Sequence, residues 1–296
     1  MPLPEVAEPV FPTAKLDQVT DAQLAAYANL IYGRTGIRIS PQKKMLLSNR
    51  LRRRLRETGI ADFGEYYRHL KQQKPNSPEW DAFLQEITTH ETYLFRDEAQ
   101  WRWISNVFLV QCAALARSGK MARSLRIWSA ACSTGDEATT MACCIAACLP
   151  SFGDWRIRIL GTDIGAGAVA QASAAVFGER AVRLVPEQYR RRFFTKAKDA
   201  NVWRAKPVLT DMLEFRRHNL LDPIREAPFD LVFLKNVLIY FDGASKQRVV
   251  DNVRGAILPG GLLVAGAAEG VASMIRDFTR IQPWLFHKNP PTAKGA

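Results

Sequence analysis

The sequence predicts a doubly wound α/β domain preceded by a small all-helical domain, and three observations carry that prediction. From Leu16 to about Asp97, apolar residues recur at three and four spacing, as in Leu24-Tyr27-Ile31 and Met45-Leu46-Leu51-Leu55, while Gly36, Pro41, Gly59 and Pro75 to Pro78 punctuate the run. From about Leu125 the pattern becomes apolar strands alternating with helices, the grammar of a parallel sheet. About 40 residues, 178–217, then interrupt the alternation with short strand-like pieces and a helix from Pro186 to Phe194, which reads as an inserted β subdomain. The expected boundaries are a helical domain at 15–97, a linker helix at 98–124 and an α/β domain at 125–288 that contains the insert.

Residues 1–14 and Asn289 to Ala296 read as tails. Four or five helices follow the first tail. The second, Pro41 to Thr58, carries the densest basic run of the chain, Arg50, Arg52, Arg53, Arg54 and Arg56, on the face left over once Leu46, Leu51 and Leu55 are buried. In the α/β domain, Arg126 to Ala131 and Ile157 to Asp163 are the first two strands. Phe229 to Leu234 is a central parallel strand, Ser245 to Ile257 the helix after it, and Leu262 to Gly266 a strand entered through Pro259-Gly260-Gly261. Phe278 to Ile281 and Trp284 to Lys288 form a closing hairpin.

The first strand, the turn Cys132-Ser133-Thr134-Gly135 and the second strand make a βαβ unit whose last residue, Asp163, is placed to accept hydrogen bonds from ribose hydroxyls. Dinucleotide sites add further glycines and leave the helix N-terminus free for a pyrophosphate. This turn has one glycine, and its helix opens with Asp136 and Glu137. Two carboxylates there repel a phosphate and suit a cationic ligand, such as the α-amino group and sulfonium of S-adenosylmethionine, while still favouring the positive end of the helix dipole. The alternative at this point is an ordinary βαβ unit with an acid-capped helix.

Composition narrows the function classes. The chain has 296 residues, 47% of them hydrophobic, enough for real cores. Its best apolar stretch, Met141 to Leu149, is far short of the roughly 20 residues that span a bilayer, so no membrane insertion is expected. Met1 to Pro12 carries acids and prolines instead of a signal sequence, and five cysteines without CxxC spacing suit a reducing compartment, so a cytoplasmic location is expected. The histidines show no metal-ligand spacing. A formal net charge of +12 fits a solvated face, a nucleic-acid patch or a docking surface for an acidic protein, and charge alone does not choose among them.

Three further segments decide. They are Thr88-Thr89-His90-Glu91-Thr92-Tyr93-Leu94-Phe95-Arg96, His218-Asn219-Leu220-Leu221 and Lys235-Asn236-Val237-Leu238-Ile239-Tyr240-Phe241-Asp242. With the Ser133-to-Glu137 turn, and in this order, they resemble the chemotaxis receptor methyltransferases of the CheR family, over about Leu24 to Lys288. The resemblance implies a class I S-adenosylmethionine-dependent methyltransferase domain, a Rossmann-like doubly wound sheet, behind a helical N-terminal domain. It implies O-methylation of glutamate side chains on the cytoplasmic signalling helices of chemoreceptors, with S-adenosylhomocysteine as product. A monomer without a nucleic-acid partner is expected.

By the same resemblance, Asp163 holds the ribose, Glu137 the methionyl amino group, and Asn219 with Leu220 the adenine side. Thr92, Ala131, Gly135, Lys235 and Asn236 complete the cofactor pocket, Arg96 is the active-site arginine, and Tyr240 stands next to the reacting centre. Arg50, Arg53 and Arg54 form the receptor-docking face. The sequence also departs from the family pattern. Lys235 stands where arginine is usual, Gly266-Ala267-Ala268-Glu269 where Gly-His-Ser-Glu is common, and His90 and Leu94 replace Asn and Phe. Lysine keeps the charge but loses the planar fork. Two alternatives follow: a cofactor-binding adaptor without strong turnover, and a nucleic-acid methyltransferase served by the +12 charge. Against the second, Lys235-Asn236-Val237-Leu238 occupies the position where base amino-methyltransferases carry an Asn/Asp-Pro-Pro-aromatic motif.

Overall fold

Thr20 starts the first helix by a reciprocal cap with Gln23, and Gly36, at φ 71°, ends it in the left-handed conformation that glycine adopts without a Cβ penalty. The computed structural model describes residues 18–74, 77–88, 91–198, 201–266 and 269–290. The expectations for the first tail, His90, Ala267 and Ala268, and for the tail beyond Pro290, lie outside the described residues. Helix α1 spans Asp21–Thr35, α2 Lys44–Thr58, α3 Phe63–Gln72 and α4 Pro78–Ile87. They close around Tyr27, Ile31, Leu51, Tyr66, Leu70, Trp80 and Phe83, all fully buried.

The register of α2 differs from the sequence expectation. Leu47 is buried in place of Leu46, which is 45% exposed. That turn of the helix carries Arg54 inward, where its guanidinium meets Glu79 at 2.7 Å and pairs with Glu57. A carboxylate from α4 is what makes an arginine admissible there, since an unpaired charge is not.

Two short helices joined by a π-turn, α5 (Glu98–Trp103) and α6 (Leu109–Arg117), lead into the sheet. Its strands are β1 (Ser124–Ala130) and β2 (Arg156–Asp163), separated by α7 (Asp136–Cys148) and followed by α8 (Ala166–Ala174). The insert comes next: β3 (Val176–Gly178), α9 (Glu179–Val182), α10 (Glu187–Phe193), β4 (Phe194–Lys196), β5 (Val202–Ala205) and α11 (Pro207–Thr210). The chain then completes the main sheet with β6 (Leu213–Arg217), β7 (Phe229–Leu234), α12 (Gly243–Gly255), β8 (Ile257–Ala265), β9 (Phe278–Gln282) and β10 (Leu285–Lys288).

The seven strands lie in the order β6-β2-β1-β7-β8-β10-β9, and the insert forms its own small sheet, β3-β5-β4. Strands β6, β2, β1, β7 and β8 pair in parallel, and the terminal hairpin adds antiparallel. Two expectations shift. Leu213–Arg217 was expected within the insert, yet it pairs with Ile159 to Asp163 as the edge strand of the main sheet. The helix expected at Ser245 to Ile257 begins two residues earlier, capped by Asp242, and Ile257 already belongs to β8.

Register places the site. Ala130 of β1 sits beside Thr162 of β2 and Leu234 of β7, so the three strands end at one rim. The helical domain stands over it. Arg38 N–H donates to the Tyr240 carbonyl at 2.9 Å, Tyr32 Oη–H to Asp242 Oδ2 at 2.8 Å, and Asn219 Nδ2–H to the Arg34 carbonyl at 2.9 Å.

Candidate active site

At that rim a cavity of about 290 Å³ opens between the two domains. Crevices at the carboxyl ends of parallel strands are where open α/β sheets bind ligands, because the chain turns there with backbone N–H groups and side chains free to face outward. The turn after β1 is wound tightly, with Ala131, Ser133 and Gly135 all at positive φ. Gly135 is required for a steric reason as well, since a Cβ there would lie 2.8 Å from that of Ala172 on α8. Left-handed conformations at non-glycine residues cost of order 1 kcal/mol or more each and are held where the surroundings over-determine them.

Asp163 does the holding. Its Oδ2 accepts from Ser133 N–H and its Oδ1 from Gly165 N–H, both at 2.9 Å. Each carboxylate oxygen retains a further lone pair for a hydroxyl donor. Glu137, in the first turn of α7, accepts from Ser129 Oγ at 2.7 Å and lies 3.6 Å from Lys235 Nζ. Burial pushes its carboxyl above the usual range, and Lys235 pulls it back. Lys235, buried just past β7, lies closer to another acid, Asp97, at 2.8 Å. Two carboxylates thus share one ammonium, an excess of negative charge suited to a cationic ligand.

Arg96 lines the wall, in a backbone bracketed by Phe95 and Asp97 at positive φ. Its guanidinium donates to the Glu91 carbonyl at 3.2 Å and stands 5.7 Å from the Tyr93 ring, and its own carbonyl accepts from Trp101 Nε1–H at 2.6 Å. Tyr240 faces the same cavity from a short 3-10 turn, Leu238–Tyr240. That turn is fastened from below by Glu269, whose Oε1 accepts from Val237 N–H at 3.0 Å.

The structure brings Arg96, Tyr240, Thr92, Ala131, Glu137, Asp163, Asn219, Leu220, Lys235 and Asn236 to one cavity wall. Gly135 does not line it and acts through packing behind the turn. The arginines expected as one docking face separate: Arg50 lines the cavity and donates to the Ile87 carbonyl, Arg53 pairs with Glu86, and Arg54 is buried. Sequence reasoning missed Asp97 and Glu269, which serve Lys235 and Val237 across long chain separations, and Ser129 and Trp101, whose contacts with Glu137 and Arg96 are local but depend on side-chain direction. Cys132 lines the cavity, and burial lifts its thiol well above its ordinary pKa, which disfavours the reactive thiolate. Among the described residues no cluster of His, Cys, Asp and Glu could hold a metal ion, and no helix is long and apolar enough to cross a membrane.

Five parallel strands in this order, an antiparallel closing hairpin and a cavity at the strand ends with Asp163 and Glu137 in its lining define a class I S-adenosylmethionine-dependent methyltransferase. Residues 90–284 match the family model described as CheR methyltransferase, SAM binding domain, and residues 22–88 match CheR methyltransferase, all-alpha domain. The chain belongs to the CheR methyltransferase family and carries its S-adenosylmethionine-binding domain. It is 31% identical over 265 residues to the chemotaxis protein methyltransferase of Salmonella typhimurium, covering 88% of each chain. Identity to the Escherichia coli chemotaxis protein methyltransferase is 31% over 266 residues, with the same coverage. Chemotaxis protein methyltransferase 2 of Pseudomonas aeruginosa is 32% identical over 243 residues, covering 81% of this chain and 83% of that one.

Proposed function

We propose that this protein esterifies glutamate side chains on the cytoplasmic signalling helices of chemoreceptors. The observation that carries the reading is the convergence of Arg96 and Tyr240 on the cavity that Asp163 and Glu137 also line. S-adenosylmethionine, when bound, supplies a methyl group on a sulfonium. Asp163 would take its ribose hydroxyls on the lone pairs left free by Ser133 and Gly165, and Glu137 its amino group. Asn219 and Leu220 would flank the adenine, beside Thr92, Ala131, Lys235 and Asn236.

A glutamate carboxylate is already ionised near neutral pH, so the chain needs no general base. With the methyl group supplied by the cofactor and the carbon–sulfur electron pair left on its sulfur, the chain's own residues would have no proton to move. The protein's task is alignment. The Arg96 fork can hold the carboxylate by paired hydrogen bonds with one oxygen facing the methyl, and proximity and preorganisation supply the rate. The contact of Lys235 with Asp97 and Glu137 gives the lysine defined partners, which favours a working pocket over the adaptor reading.

The test is methyl transfer from labelled cofactor to receptor-bearing membranes of the source organism. Base-labile label on receptor glutamates is the expected result. Cofactor binding without any such label would establish the adaptor reading instead.

A further inference from the structure

The segment from Glu91 to Arg96 runs along the cavity wall, and the insert grips three of its residues. Arg180 Nη2 lies 2.6 Å from Glu91 Oε1, Leu94 N–H donates to the Ala181 carbonyl at 3.0 Å, and the Arg183 guanidinium stands 3.7 Å from the centre of the Tyr93 ring. All three gripping residues belong to α9 or directly follow it. The Tyr93 ring also receives Arg96, at 5.7 Å. A guanidinium within about 6 Å of an aromatic centroid is attracted by the ring quadrupole, so one ring links an arginine of the insert to Arg96.

Arg96 needs such support. Its backbone is committed by the left-handed residues on either side, but its side chain keeps several rotatable torsions, and among the described residues its one side-chain hydrogen bond goes to the Glu91 carbonyl. Glu91 is itself tied down by Arg180. Arg183 is held in turn, its Nη1–H donating to the Arg180 carbonyl at 2.9 Å. The ladder therefore runs from a fixed helix through a fixed ring to a long side chain whose aim matters.

We propose that Arg183 is a positioning residue for methyl transfer: stacked on Tyr93, it fixes the surface against which Arg96 rests, so that α9 of the insert sets the aim of the cavity arginine. This rests on the role given to Arg96 above. Because misplacement of about 1 Å can lower a rate of this kind by about 100-fold, a loosened ring is expected to reach catalysis without touching the cofactor.

The experiment compares Arg183→Ala, Arg183→Lys, Tyr93→Leu and the Arg183→Ala/Tyr93→Leu double variant in the full chain. It reads kcat, KM, cofactor affinity by calorimetry, and amide exchange of residues 91–97. Arg183→Ala should lower kcat about tenfold with cofactor affinity unchanged, Arg183→Lys should fall between it and the parent, and the double variant should be no worse than the worse single one. An unchanged kcat, losses that add, or a matching loss of cofactor affinity would overturn the proposal. If the parent protein esterifies no carboxylate, the reading of Arg96 falls while the clamp is still judged by exchange. Faster exchange at 91–97 in Arg183→Ala supports the clamp, and unchanged exchange refutes it.

Discussion

Charged side chains gather at two places on the main sheet, and they are solved in opposite ways. Ahead of β7, Glu226 receives Arg126 and Arg216 at 2.8 Å and also pairs with Arg158, so side chains from three adjacent strands satisfy one carboxylate. Those arginines, Arg158 foremost, hold its pKa down at about 2. At the carboxyl rim the ratio reverses. Asp97 and Glu137 share Lys235, burial raises Glu137, and the backbone is left-handed at Ala131, Ser133 and Asn236. Carboxylates in surplus of their cationic partner, on strained backbone, mark a place suited to a cationic ligand; a carboxylate saturated by arginines on regular strands serves the fold.

The comparison breaks most decisively at Asp163. Asp163→Ala should weaken cofactor binding by roughly 100-fold or more, since hydrogen bonds to a charged group contribute about 1.5–3 kcal/mol each and two hydroxyls lose theirs. Calorimetric titration of the folded variant checks it, and an unchanged dissociation constant would mean the pocket lies elsewhere. Arg96→Ala should keep that affinity within a few fold and lower kcat roughly 10²- to 10³-fold, the magnitude typical of losing a preorganised donor. Parent-like turnover would remove Arg96 from the reaction.

Glu137→Gln sharpens the contrast through pH. With its folded pKa raised, Glu137 is fully ionised only above that raised value, so cofactor affinity should decline as pH falls through it. The glutamine variant should bind about tenfold more weakly near neutral pH and lose most of this dependence. An equal pH slope in both proteins would assign the titration to another group.

The smallest effect belongs to the Glu226 cluster. Glu226 has a folded pKa lowered from 4.5 to about 2, so its contribution to stability is present above pH 4.5 and is lost as pH falls through about 2. Glu226→Gln should therefore flatten the decline of unfolding free energy across that window, leaving cofactor affinity at neutral pH unchanged. Denaturant melts at stepped pH decide it, and a parent-like slope would shift the effect to other carboxylates.

The order of helices and strands was legible because it depends on neighbours in the chain: three-and-four spacing, a glycine in the β1–α7 turn, acids at the start of α7, and a carboxylate at the end of β2. The sequence located the strand ends where ligands gather, and it placed Arg96 and Tyr240 in segments that the fold later brings to the cavity. It did not resolve which side of α2 faces inward. Period alone leaves Leu46 and Leu47 nearly equivalent, and the choice was made by Glu79 on α4, which gave Arg54 a buried partner. Nor did it separate β6 from the insert, because a short mixed strand is the same string whether it borders β2 or a small sheet. The contacts of Lys235 with Asp97, of Glu269 with the Tyr240 turn and of Arg183 with Tyr93 join segments far apart in the chain. Local propensity carries no information about such pairs; only closing the sheet and seating the helical domain over its rim decides them.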